Sequence, residues 1–110
     1  MQTMAWTIDF LPDADAELRE LRLFDQKRIV DGILEQLSQQ PDQETRNRKC
    51  LGDRLTANFD FVPPLWELRI GEYRVFYGIE TPTRIVVIHA VRMKPPTKTT
   101  SEVLNEDYDD

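Results

Sequence analysis

The sequence predicts an α+β domain: a small antiparallel β-sheet with an N-terminal helical hairpin packed on one face. Two stretches with apolar residues at helical spacing precede residue 41, and three strand-length runs rich in Val, Ile, Tyr and Phe follow residue 64. Short turn-forming connections join those runs into a meander, and one-faced helices must lie on something. The 110 residues suit one domain, expected over 1–104, with an acidic, frayed tail over 105–110.

Composition narrows the class. Hydrophobic residues at 40% and charged residues at 31% exclude a disordered chain. No apolar run approaches the roughly 20 residues that span a bilayer, and Met1 to Trp6 lacks the basic and apolar segments of a secretory signal. One cysteine, Cys50, and one histidine, His89, leave no internal disulfide and no multi-histidine or cysteine-built metal site. A cytoplasmic protein that needs no metal or cofactor and no membrane is expected.

Taken in order, Trp6, Ile8 and Phe10 alternate, which reads as a short strand within 4–11. Pro12-Asp13 ends it and offers an N-cap, and Asp15 and Glu17 suit a helix N-terminus. Ala14, Leu18 and Leu21 recur at spacings of four and three, predicting a helix over 13–23 with a corner at Phe24-Asp25. Ile29, Val30, Ile33, Leu34 and Leu37 then form the stripe of a second helix, ended by Pro41. Residues 46–51 are a further candidate strand, and 58–64 read as a loop. Strands follow over 65–70, 73–79 and 84–91, joined by Gly71-Glu72 and by the tetrad Glu80 to Thr83. Pro95-Pro96 stops the last strand, and 97–104 has room for one helical turn.

Hairpin geometry sorts the strands into faces. A two-residue turn pairs Ile70 with Tyr73, Arg69 with Arg74, Leu68 with Val75 and Glu67 with Phe76, and paired residues share a face. Leu68 and Val75 therefore face the helices with Ile33 and Leu37, while Glu67, Arg69, Arg74 and Phe76 share the opposite side. A four-residue turn over 80–83 extends this: Val86, Ile88 and Ala90 join the core, and His89 falls beside Arg74.

The net charge of −6 conceals a segregation. Residues 1–45 hold four basic residues against ten carboxylates, 46–98 hold ten against five, and 99–110 hold none against five. The middle is either an unevenly charged solvated surface or an anion-binding one. Arg69 and Arg74 are directly opposed, so Glu67 relieves them in a surface network or a phosphate does. Arg92, Lys94 and Lys98 follow at the strand end. His89 reads as a packed or solvated residue, or as an acid–base group. Cys50, beside Arg48 and Lys49, is a buried structural thiol or an activated one. Phe59, Phe61 and Trp66 either seal a core edge or stack bases.

The wording Leu68-Arg69-Ile70-Gly71-Glu72-Tyr73-Arg74-Val75-Phe76-Tyr77, followed by Ile85 to Arg92, resembles the RelE/ParE superfamily of type II toxin–antitoxin toxins. The resemblance covers residues 5–100 in element order and is most specific over 65–92. It implies a small antiparallel sheet with a helical hairpin and a separately encoded antitoxin as partner. It implies first a metal-independent endoribonuclease acting on mRNA at the ribosome, as in the RelE branch, with non-enzymatic inhibition of DNA gyrase, as in the ParE branch, as the alternative. A degenerate relative kept as a binding module is the third reading. For the ribonuclease, Arg74 matches the arginine that holds the scissile phosphate, and Arg69 matches an arginine of the preceding strand. Arg92 lies one position from a later catalytic arginine, where Met93 falls. Glu67 and Leu65 stand where the best-known RelE toxins carry lysines, and no Tyr or His stands near Thr99. The catalytic set is then Arg74, Arg69, His89, Glu67 and Arg92, with Lys49, Arg54, Lys94 and Lys98 contacting RNA. On this reading, loss of Arg74 costs about 10²–10³ in rate and leaves the fold nearly unaffected.

Overall fold

The computed structural model describes residues 5–106. The chain runs β1 (Thr7–Phe10), α1 (Pro12–Arg19), α2 (Leu23–Leu37), β2 (Arg48–Gly52), β3 (Leu65–Ile70), β4 (Tyr73–Glu80), β5 (Ile85–Met93) and α3 (Thr100–Leu104). All five strands form one sheet in the order β1-β5-β4-β3-β2. The class is α+β, as expected, but the sheet is mixed. β2 to β5 pair antiparallel, while β1 joins the free edge of β5 in parallel. Tight turns dictate opposed directions within the meander, whereas no turn links β1 to β5.

Helix boundaries follow local chemistry. Pro12 occupies the first turn of α1 with Leu11 at the cap, because proline's fixed φ suits that position and its missing N–H is not needed there. Asp13 is therefore inside the helix, not its cap. The corner falls at 20–22, so Leu23 and Phe24 open α2 and stay exposed. Ile29, Ile33 and Leu37, four residues apart, bury fully against the sheet. Leu34, one step of about 100° round from Ile33, is half exposed. A Cβ on Gly32 would stand 2.8 Å from the Ile70 Cδ1, so this glycine lets α2 lie close to the end of β3.

The β3–β4 register matches the expectation pair for pair, from Trp66 opposite Tyr77 to Ile70 opposite Tyr73. The β4–β5 register does not. Its turn is 81–84, with Arg84 at φ 56, and Ile79 opposes Val86. Tyr77 opposes Ile88 and Phe76 opposes Ala90, which leaves His89 as an extra residue in β5. This β-bulge switches the facing of everything beyond it. Ile88 and Val91 both face the main core, and Ala90, expected there, packs on the other side.

Leu68, Val75 and Ile88 have no solvent exposure, as the face assignment requires. The opposite side is not an open polar surface. Leu51, Leu55, Phe59 and Phe61, with Val103 and Leu104 of α3, cover Leu65, Phe76 and Ala90. α3 starts with a capping box between Thr99 and Glu102. Asn105 donates to the Thr56 carbonyl at 3.0 Å, and Lys98 pairs with Glu106 at 3.0 Å. Residues 107–110, the rest of the expected acidic tail, lie outside the described residues.

Candidate functional site

The bulge lines three arginines across the sheet. Arg69 opposes Arg74 between β3 and β4, and Arg74 opposes Arg92 between β4 and β5. Like charges at adjoining cross-strand positions repel, so each needs an answer.

Arg92 is answered most fully. Its Nε sits 3.0 Å from the Glu17 Oε2, and its Nη1 donates to the carbonyls of Val103 and Leu104 at 2.9 and 3.1 Å. Its guanidinium also lies 5.3 Å from the Phe59 ring centroid. The Glu17 carboxylate accepts the Val91 N–H at 2.9 Å, where β5 has run past the end of β1 and has no strand on that edge. One ion pair thus fastens α1, the bulged edge of β5 and the C-terminal carbonyls of α3.

Arg74 is buried too. Its Nε is 3.7 Å from the Glu67 Oε2, and its Nη1 donates to the carbonyls of Gly71 and Tyr73 at 2.9 and 3.0 Å. Burial lowers its pKa from the arginine value; Glu67 opposes that shift and Arg69 adds to it. The guanidinium nevertheless stays charged. Glu67 also accepts a hydrogen bond from the Thr100 hydroxyl at 3.4 Å. The expectation that Arg74 sits on an open face, removable without harm to the fold, does not survive this burial. Arg69, in contrast, is exposed.

His89 is not beside Arg74. Arg92 takes that place, and His89 lies three residues along β5, roughly 10 Å at strand rise. Its ring stacks on Phe59 with centroids 5.3 Å apart and planes 13° apart. Burial lowers its pKa from 6.5. It lines a separate groove with Leu11, Asp13 and Asp60. Glu67, Arg69 and Arg74 are therefore brought together, Arg92 adjoins them bonded to Glu17 and α3, and His89 stands apart.

The basic residues distribute unevenly. Lys49 opposes Glu67 from β2. With Arg46 and Arg69 it lines a cleft of about 350 Å³ whose walls also carry Glu44, Arg48 and Glu67. Arg48 is spent on α2 and the loop after it, donating to the Gln36 carbonyl at 2.7 Å and the Gln43 carbonyl at 2.9 Å. Arg54 is exposed after β2, Lys94 is half-buried beyond β5, and Lys98 is engaged by Glu106. Cys50 is half-buried against the main core, Trp66 packs within it, and Phe59 and Phe61 seal the second cluster. Sequence reasoning missed Glu17, which looked like an ordinary helix N-terminal acid, and Arg46, which carried no pattern at all. No helix among the described residues is long and apolar enough to cross a membrane.

Solved structures share this architecture. A chain of the RelBE2 toxin–antitoxin complex from Mycobacterium tuberculosis is 26% identical, with a TM-score of 0.65 over 82% of this chain and 99% of its own. The archaeal RelE–RelB complex from Pyrococcus horikoshii OT3 gives 18% identity and a TM-score of 0.62, covering 86% of this chain and 100% of its own. The isolated E. coli RelE toxin gives 18% and 0.56, covering 89% and 94%. These last two show the fold alone. No curated protein gives a significant match to the sequence. The fold and the 26% identical neighbour thus point to a small α+β toxin of the RelE/ParE kind. More narrowly, the chain belongs to the ParE toxin family of type II toxin–antitoxin systems, whose model (ParE toxin of type II toxin-antitoxin system, parDE) matches residues 8–93. It is a toxin component, and its partner is a cognate antitoxin.

Proposed function

We propose that this toxin arrests growth by binding its target rather than by cutting RNA, and that the target is DNA gyrase, as in the ParE branch. Cleavage of RNA requires a base for the ribose 2′-hydroxyl, cations for the phosphorane and an acid for the leaving 5′-oxygen. One observation carries the proposal: Arg92 spends its guanidinium on Glu17 and the end of α3, while His89 lies in another groove. Glu67, Arg69 and Arg74 meet, but neither His89 nor the Arg92 guanidinium joins them as a second acid–base group or a third anion holder. The open cleft of Arg46, Lys49 and Arg69 supplies a cationic surface for a binding role.

A second reading, metal-independent endoribonuclease action on mRNA at the ribosome, is favoured by the same cleft. Glu67 lies at its wall beside Arg74 at 3.7 Å, with Arg69 and Lys49 adjoining. Arg54, Lys94 and Lys98 would extend the RNA contacts. Against it, the Glu67 carboxylate is engaged by Arg74 and by the Thr100 hydroxyl. Inducing the toxin, then assaying plasmid topology and transcript 5′ ends in the same cells, separates the two. Relaxed plasmid with intact transcripts supports gyrase inhibition; new 5′ ends with normal supercoiling support the ribonuclease.

A further inference from the structure

Charge is segregated in space as well, though not by the same segments, since Asp60 and Glu80 of the basic middle lie on the acidic side. The basic cleft lies at the β2 edge of the sheet, and an acidic groove lies toward the β1 edge. Two adjoining hollows there, of about 550 and 450 Å³, share Leu11, Asp60 and His89 and form one groove. Its apolar lining includes Leu11, Phe61, Val62, Ile79 and Val87, and Val62 is 83% exposed. Four exposed carboxylates rim it: Asp9, Asp13, Asp60 and Glu80. No lysine or arginine lines either hollow, and none of the four acids forms an ion pair among the described residues. The sole nitrogen base present, His89, is held toward its neutral form by burial.

Exposed apolar side chains between like charges are unfavourable in water on both counts, and covering them with an oppositely charged amphipathic surface relieves both. We infer that this groove docks a cationic amphipathic segment of a partner polypeptide. Apolar side chains of that segment would seat on Phe61, Val62 and Ile79, and its Lys or Arg side chains would meet Asp13, Asp60 and Glu80. The same rim repels nucleic acid and acidic peptides. This docking is independent of whether the toxin binds gyrase or cuts RNA, since neither reading uses these residues apart from His89.

The test uses the full chain and two fluorescein-labelled helical peptides, one of Leu and Lys and its counterpart of Leu and Glu, read by anisotropy. The Leu–Lys peptide should bind and the Leu–Glu peptide should not. Each rim carboxylate is worth about 1.4- to 5-fold, so Asp13→Asn/Asp60→Asn/Glu80→Gln should weaken binding about 10-fold. Val62→Ser should also weaken it, which separates groove docking from simple charge attraction. Asp31→Asn/Glu35→Gln/Asp42→Asn removes equal charge from exposed sites elsewhere and should leave the affinity within about 2-fold. Equal loss in both triple variants, no loss in the groove variants, or equal binding of the two peptides overturns the inference.

Discussion

Arg92→Ala is the substitution that most sharply separates a structural arginine from a catalytic one. The side chain is 5% exposed and bonds Glu17 and two carbonyls of α3. Truncation leaves the Glu17 carboxylate, itself 14% exposed, with only the Val91 N–H of these partners. It also releases the end of α3, and with it the cover over Phe76 and Ala90. Breaking a buried pair from one side typically costs about 3–5 kcal/mol. At about 4–8 °C per kcal/mol for a domain of this size, the Tm should fall by roughly 15–30 °C. Arg92→Lys, which keeps the charge but not the fork, should lose about half as much. Buried Trp6 and Trp66 report unfolding by fluorescence during a thermal or urea melt. An Arg92→Ala protein within about 1 kcal/mol of wild type, yet no longer toxic, would refute the structural role and return Arg92 to the target-binding surface.

Ile88→Ala, at a site with no solvent exposure, should cost about 2–5 kcal/mol in a urea melt. Tyr77→Phe removes the hydroxyl that donates to the Pro41 carbonyl at 2.7 Å; leaving that buried acceptor unpaired should cost about 1–3 kcal/mol. Burial also raises the pKa of this phenol, with the nearby Arg48 opposing. His89 has a pKa below its ordinary 6.5, chiefly through burial, so the unfolded chain binds that proton more readily. The stability it protects is present above about pH 6.5 and is lost as the pH falls through its folded pKa. Wild type should therefore weaken more steeply than His89→Gln between about pH 7 and pH 5, and parallel slopes would remove His89 from the account.

The β3–β4 hairpin was legible in the sequence because Gly71-Glu72 leaves a single tight register, which fixes the facing of Leu68, Arg69, Arg74 and Val75 at once. β5 was not. Val86, Val87, Ile88, Ala90 and Val91 place apolar residues on both parities, so alternation carries no information about where the strand kinks. The bulge at His89 therefore went unseen, and with it the alignment of Arg92 beside Arg74. Glu17 was hidden for another reason. Its partner lies 75 positions away, and nothing local distinguishes it from Asp13 or Asp15. The second cluster was equally opaque, since Phe59 and Phe61 sit in a loop without periodicity and are given meaning only by α3 and Phe76. The arginine site was thus half read: the residues of β3 and β4 were placed, and their burial was not.

The proposed mode of action is binding of gyrase, without turnover on RNA. Titrating purified toxin against a fixed amount of DNA gyrase in a plasmid supercoiling reaction tests it most directly. Inhibition that reaches completion as toxin approaches gyrase in molar amount is the predicted result. Undiminished supercoiling at large molar excess of folded toxin would contradict it.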